Sequence, residues 1–259
     1  MIKKDSKSIK PIEELPTVSV IIPAYNASKY IDTAINSVFL QNVPVELIVV
    51  DDCSSDNLDI VMNKYLGLKN IVYIKNERNL GVAKSRNLGV RKSKGDYVAY
   101  LDADDWWMEG KLEKQISIMK KTGVVLCSTG RELVYSNGES TGRYIPVKKH
   151  ISYKSLLYHN SINCSSVLVL SEVAKEFPMG NDEIHEDYIT WLKILKKYKK
   201  AYGIDEPYLK YRLTGNGKSR NKIKSARMTF LVYRHMGFGY LKSIYYFICY
   251  AVHGMKKYI

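Results

Sequence analysis

Over its first hundred residues the chain alternates short, continuously apolar runs with segments of helical periodicity, and this restricts its fold more than any other feature. Residues 17–22 (TVSVII) and 45–50 (VELIVV) are apolar at consecutive positions, with β-branched residues prominent. A strand wet on one face would alternate; an unbroken run fits a strand covered on both faces of a parallel sheet. Between them, residues 28–41 carry Ile31, Ala34, Ile35 and Val38 at helical spacing. A helix near 57–66, a strand at 71–75, a helix after Gly81 and a strand at 96–101 continue the pattern. Such alternation predicts an α/β fold with helices on the faces of its sheet.

In sheets of this kind, ligands bind outside the carboxyl ends of the strands. Three polar clusters fall there: Pro23-Ala24-Tyr25-Asn26, Asp51-Asp52 and Asp102-Ala103-Asp104-Asp105. All three are expected to line one crevice. In an extended segment Asp102 and Asp104, two apart, point the same way. Two carboxylates so placed suit a hard divalent ion that takes its other ligands from substrate phosphates. Acidic turns are common, so the spacing alone is weak and the buried strand before it supplies most of the weight. For Asp51 and Asp52 two readings stay open: caps for a helix starting at Leu58, or acceptors for a ring N–H or hydroxyl.

Beyond Trp106 the pattern changes. Residues 111–121 read as a helix, 124–128 and 131–135 as two strands, Ser136-Asn137-Gly138 as a turn, and 164–170 as another strand. Tyr188, Trp191, Leu192 and Leu195 mark an amphipathic helix that begins just after Glu186-Asp187. Those two acids complement the dipole of that helix, or one of them serves as a proton acceptor. A glycine-containing loop at 214–219 precedes two helices rich in tyrosine and lysine.

The formal charge of +14 suits either plain solubility or attraction to an anionic partner, whether a nucleotide, a nucleic acid or a membrane surface, and charge alone does not choose among them. No nucleic-acid module is recognisable, so nucleic acid is not expected. Cys53, Cys127, Cys164 and Cys249 are scattered without a CxxC pair, which argues against zinc and suits a reducing cytoplasm. Residues 1–16 are lysine-rich without an apolar core, unlike a signal peptide. The most apolar tail segment, 244–252, is too short for a bilayer crossing, which takes about 20 residues.

Taken together, VSVIIPAYN (18–26), VVDDCSSD (49–56), NLGVAKSRNLG (79–89), GDYVAYLDADD (95–105) and Glu186-Asp187 before Trp191 resemble the family 2 glycosyltransferases of GT-A fold, in order and in separation. The resemblance implies a Rossmann-like mixed sheet flanked by helices, with a C-terminal helical extension. It implies a nucleotide-diphosphate sugar donor and a divalent metal, manganese or magnesium. Pro23, Ala24 and Tyr25 would lie against the base, with Asn26 in the same donor-binding set, and Asp52 would bind the base, expected to be uracil. Lys84 and Arg86 would sit near the donor, Asp102 and Ala103 on its ribose or sugar side, and Asp104 would be the principal metal ligand. Asp187 would be the catalytic base and Glu186 would orient the acceptor; His185 is incidental. Many members carry an acid where Ser28 stands, so one nucleoside contact lacks its usual residue.

The QxxRW motif of processive synthases is absent, which favours transfer of a single sugar. The resemblance further implies an inverting hexosyltransferase of O-antigen or capsule assembly with a glycan acceptor, lipid-linked in the simplest case. Residues 1–16 form a tail, 17–105 the nucleotide-binding half, 106–214 the acceptor half and 215–259 the extension. Arg212, Lys218 and Arg220 are placed to reach a diphosphate. The extension, basic and aromatic, suits either the inner face of an anionic membrane or packing on the catalytic domain or another subunit. Sugar selectivity is expected from loops around 164–166 and 129–132. A metal-dependent nucleotidyltransferase and a non-catalytic nucleotide-sugar-binding module are the alternatives. The first lacks its glycine-rich phosphate loop; the second would have no use for so many carboxylates.

Overall fold

The computed structural model describes residues 17–180, 183–214 and 222–256. The tail 1–16, most of the loop expected at 214–219 with its Lys218, and Arg220 after it lie outside the described residues. The first half alternates as its pattern predicts: β1 (Val18–Ala24), α1 (Ile31–Phe39), β2 (Val45–Asp51), α2 (Leu58–Met62), β3 (Ile71–Lys75), α3 (Val82–Lys92) and β4 (Tyr97–Tyr100). There follow β5 (Trp106–Trp107), α4 (Lys111–Thr122), β6 (Leu126–Tyr135), β7 (Ser140–Ile145), β8 (His150–Ser152) and α5 (Tyr153–Tyr158). The chain closes with β9 (Leu168–Leu170), α6 (Ser171–Glu176), α7 (Glu186–Tyr198), β10 (Lys200–Leu213), α8 (Lys222–His235) and α9 (Tyr240–Lys256).

These strands form one mixed sheet in the order β3-β2-β1-β4-β9-β6-β10-β5, with β7 beside β6 and β8 beside β10. The four strands β3, β2, β1 and β4 are parallel; β9 runs against β4 and β6. Because β2 lies on one side of β1 and β4 on the other, the connections diverge there and leave a crevice at the carboxyl ends of the two strands. Every residue of β1 and of β4 is buried, which is why neither run alternates. One apolar cluster packs α1, α2 and α4 on one face; the other face is covered by α3, α5, α6, α7 and the C-terminal helices. α3 comes close to β1 at Gly89, where a Cβ would stand 2.5 Å from Ile21 Cγ2.

Several expectations change. The two strands expected at 124–128 and 131–135 are one, β6, which runs through Gly130 against the Tyr144 side chain. The strand expected at 164–170 begins only at Leu168. Residues Cys164–Ser166 form a 3-10 turn, held where Asn163 Oδ1 accepts from Ser165 N and Ser166 Oγ donates to the Asn163 carbonyl. The helix expected at 57–66 spans Leu58–Met62, and Asp56 rather than Asp51 or Asp52 accepts from Leu58 N. β10, fourteen residues with a register shift between Ile204 and Leu209, carried no clear periodicity.

The C-terminal helices pack on the rest of the chain. Met228, Val232 and Tyr233 of α8 are buried, Tyr233 Oη donates to the Leu157 carbonyl at 2.8 Å, and the Tyr233 ring stacks on Tyr246 of α9. Among the described residues no helix is long and apolar enough to cross a membrane.

Candidate active site

The crevice is organised by the residues that follow β1, β2 and β4. After β1, Asn26 takes a left-handed conformation (φ 50°), which asparagine tolerates better than most side chains. Its Oδ1 accepts from Ser55 N at 2.8 Å and its own N donates to Ser54 Oγ. Asn26 thus stitches the end of β1 to the loop after β2 and keeps that oxygen from a ligand. Asp51 is buried and spends its carboxylate on Ser54 N and Tyr73 Oη. Of the second cluster, only Asp52 borders open space.

Asp52 accepts from Asn76 Nδ2 at 2.8 Å, Leu80 N at 2.8 Å and Gly81 N at 2.7 Å. Gly81 has φ 92°, a conformation glycine adopts without penalty, and it turns the chain into α3. A cavity of about 290 Å³ lies between Pro23, Ala24 and Tyr25 on one side and Asn79, Gly81 and Val82 on the other, with Asp52 and Ser85 in its lining. Tyr25 is 54% exposed, which leaves its ring available for stacking. A planar heterocycle fits a slot of this character.

The DxD departs from the extended geometry expected of it. β4 stops at Tyr100, and Asp105 N donates to the Asp102 carbonyl at 3.0 Å, so residues 102–105 form a turn. Asp102 and Asp104 remain half-buried while Ala103 and Asp105 are turned inward. Asp105 does not line the crevice. Its Oδ1 accepts from Arg212 N, and burial together with Asp104 and Asp102 holds its carboxyl well above the usual range. Burial and the neighbouring Asp102 also raise Asp104, to about 6.

Arg212, expected to reach a diphosphate, is instead built in beneath Asp104. Its guanidinium lies 4.8 Å from the Tyr30 ring centroid and 4.7 Å from that of Trp106, and donates to the Asp104 and Ser136 carbonyls. Thr214 Oγ1 contributes a long contact, 3.4 Å, to Asp104 Oδ2.

Arg86 is the centre of the site. Its side chain is 5% exposed, one nitrogen donating to Asp102 Oδ1 at 2.6 Å and another to Glu186 Oε1 at 3.0 Å. Burial opposes its charge, but the carboxylates of Asp102, Glu186 and Asp187 outweigh that, and the guanidinium stays protonated. Beside it Asn87 exchanges two hydrogen bonds with the Met179 backbone, at 2.7 and 2.8 Å, and so fixes the segment after α6 to α3. Glu186 and Asp187 form the first turn of α7, as the dipole reading expects. Glu186 is buried against Arg86, so that oxygen is engaged away from an acceptor. Asp187 is half-buried; its Oδ1 accepts from Tyr188 N at 2.7 Å.

The structure thus brings Pro23, Ala24, Tyr25 and Asp52 around one slot, and Asp102, Glu186 and Asp187 around Arg86. Lys84 stays on the exposed side of α3, outside the slot's lining. Asn76 and Thr214 were missed as site residues, while Ser165 and Arg212 were expected there in other roles. Asp102 N donates to Ser165 Oγ, whose carbonyl in turn accepts from Trp107 Nε1. Contacts such as Arg212 to Asp104 bridge more than a hundred residues, and no local pattern announces them.

The protein ligands for an ion are few. Among the described residues no group of three or more His, Cys, Asp or Glu is placed to hold a metal. Asp104 with Asp102 offers hard oxygen donors whose mutual repulsion a dication would relieve, which suits an ion completing its shell from phosphate and water. The donor set fits manganese or magnesium bound jointly with a diphosphate.

Comparison with known proteins agrees with this geometry. Residues 19–176 match Glycosyl transferase family 2. A Bacillus subtilis protein named for teichuronic acid biosynthesis, TuaG, is 36% identical over 93% of this chain and 97% of its own. The Escherichia coli UDP-Glc:alpha-D-GlcNAc-diphosphoundecaprenol beta-1,3-glucosyltransferase WfgD is 34% identical over 93% and 94%. The fold is that of Staphylococcus aureus TarS 1–349 in complex with UDP-GlcNAc, with a TM-score of 0.70 and 19% identity over 88% of this chain and 69% of that one. The Pyrobaculum calidifontis mannosyltransferase PcManGT, solved with GDP-Man and Mn2+, gives a TM-score of 0.66 at 16% identity over 90% and 70%. With the slot, the DxD turn and the acidic start of α7 arranged on a GT-A sheet, the chain belongs to glycosyl transferase family 2 and is a glycosyltransferase, not a nucleotidyltransferase.

Proposed function

We propose that this enzyme transfers one sugar, with inversion, from a UDP-sugar to a hydroxyl of a lipid-linked glycan during assembly of a bacterial surface polysaccharide such as O-antigen or capsule. The observation that carries the reading is Arg86. By joining Asp102 after β4 to Glu186 in the first turn of α7, it ties the DxD turn to the segment that carries Asp187. Residues 17–105 hold the donor, 106–214 take the acceptor and 215–259 are an appended extension.

The base of UDP lies in the slot against Pro23, Ala24 and Tyr25, with Asp52 both holding the 79–81 loop and accepting from the ring N–H. Asn26 supports the slot from behind. Asp102 faces the ribose or sugar, with Ala103 as the buried pivot of the turn, and Asp104 is the principal metal ligand; Lys84 is left with at most a peripheral place near the phosphates. When bound, the divalent ion offsets negative charge growing on the departing diphosphate. Asp187 withdraws the proton from the acceptor hydroxyl as its oxygen attacks the anomeric carbon from the side opposite the nucleotide. Glu186 holds Arg86, and Arg86 holds Asp102 in place. A UDP-sugar and a lipid-linked acceptor are favoured by the names of WfgD and of the TarS complex, together with a chain match to WfgD over nearly its full length.

We also propose a cytoplasmic enzyme that rests on the inner membrane face through α9. Leu241, Tyr245, Ile248 and Val252 recur at helical spacing and are exposed, on a chain of net charge +14. The deciding experiment offers a panel of UDP-sugars with manganese to the purified protein and a diphosphate-lipid-linked GlcNAc. Wild type is expected to form a disaccharide with inverted anomeric configuration by NMR, and Asp187→Asn to lose at least a thousandfold in rate while still binding UDP. Transfer by Asp187→Asn at the wild-type rate removes that residue from the chemistry.

A further inference from the structure

A second cavity, of about 630 Å³ and sharing no lining residue with the nucleotide slot, opens among the segment joining β7 to β8, the end of α5 and the C-terminal part of α9. Pro146, Val147 and Ile151 give it carbon walls. The exposed lysines Lys148 and Lys149 border it, and no ion pair of either is found among the described residues. The single carboxylate in the lining, Asp205, accepts from Tyr144 Oη at 2.6 Å and from Val147 N at 3.0 Å through one oxygen. Net positive charge at an apolar cavity selects an anion that carries a hydrocarbon chain. A free sugar would need many more polar partners than these walls offer. A nucleotide base would need an available ring, and the Tyr158 ring is already packed against Tyr245, Tyr246 and His253.

Two features of the chain path say which amphiphile fits. The outward apolar stripe of α9 runs from Leu241 to Val252, and His253 of the same helix lines the cavity. On the other side, His159 and Ser161 line the cavity and lead within a few residues to Ser165, whose Oγ accepts from Asp102 N. The cavity is thus joined through α9 to an apolar surface and through residues 159–165 to the loop that holds Asp102. We infer that it binds the lipid end of the acceptor: a prenyl diphosphate whose phosphates meet Lys148 and Lys149 and whose first carbons enter the cavity and continue along α9. This rests on the lipid-linked acceptor proposed above, but it assigns that acceptor a separate pocket with its own residues.

The test is calorimetric titration of the full chain with farnesyl diphosphate below its micellar concentration. Inorganic diphosphate and farnesol serve as half-ligands, and UDP as probe of the nucleotide slot. Farnesyl diphosphate is expected to bind at least tenfold more tightly than either half-ligand and to bind undiminished when UDP is saturating. The double variant Lys148→Ser/Lys149→Ser should weaken it about tenfold without changing UDP affinity or melting temperature. Ser155→Trp, which fills the cavity, should abolish binding. No binding at millimolar probe, displacement by UDP, or full affinity in both variants overturns the inference. Failure of UDP to bind, with farnesyl diphosphate behaving as expected, instead removes the UDP donor and leaves this pocket standing.

Discussion

At the scale of single residues, the site is built by buried charges that hold other charges. Arg86 is the clearest case: truncating it removes the cation paired with buried Glu186, and breaking a buried pair in this way costs about 3–5 kcal/mol. Arg86→Met is therefore expected to lower the denaturation midpoint sharply. Arg86→Lys retains the charge but cannot reach Asp102 and Glu186 together, because the planar fork is lost. It should fold, keep UDP affinity within a few-fold, and lose kcat by about a hundredfold. An unchanged kcat in Arg86→Lys would show that the bridge does not position the reacting groups.

Lys111 offers a test of burial alone. It is fully buried, donates to Gln115 Oε1 at 2.8 Å, lies 4.0 Å from the Trp107 ring centroid, and burial pushes it down to about 7. Unfolded, it holds its proton to about 10.5. Between those values the unfolded chain binds more protons than the folded one, so this residue makes stability rise with pH, by at most about 1.4 kcal/mol per unit. Below 7 the fold carries the full penalty of the buried ammonium. Urea denaturation at pH 7 and 9 should show Lys111→Met gaining less than wild type over that interval.

At the scale of elements, segment 79–89 has three separate tasks. Gly81 turns the chain beneath Asp52, Arg86 and Asn87 tie α3 to the second half, and Gly89 lets α3 lie directly on β1. Gly89→Ala should cost about 1–3 kcal/mol, since Ile21 has no room to yield in a fully buried strand. A denaturant midpoint within error of wild type would mean that α3 can shift freely. The motif was legible in the sequence, yet its main work is structural: only tertiary contact shows that Arg86 pairs with Asp102 and Glu186.

At the scale of the whole molecule, the tail resolves into two faces. Buried Tyr233 and half-buried Tyr246 and Tyr250 pack inward against α5 and α7, so packing on the rest of the chain accounts for these aromatics, while Leu241, Tyr245, Ile248 and Val252 remain exposed. Binding to anionic vesicles should accordingly fall when Leu241 and Ile248 are changed to serine, without loss of melting temperature. It should also fall between about 50 and 300 mM salt, as surface charge is screened. Vesicle binding equal to wild type in the Leu241→Ser/Ile248→Ser variant would exclude this face as the contact.

What the sequence determined by itself is the first half of the sheet and the location of its ligand crevice. Continuous apolar runs have only one comfortable home, the middle of a parallel sheet, and the residues just after such strands must emerge at its carboxyl edge. The tertiary structure decided what those residues do once there. Asn26 and Asp51 are consumed by neighbouring loops, Asp105 turns inward, and Arg212 lies under Asp104 rather than before a diphosphate. A side chain's partners depend on segments far away in the chain. β10 in particular, long and broken in register, brings Arg212 and Thr214 to the DxD with no periodic signature. Hydrophobic pattern is local and survives in the sequence; the pairing of buried charges is made only when distant segments meet.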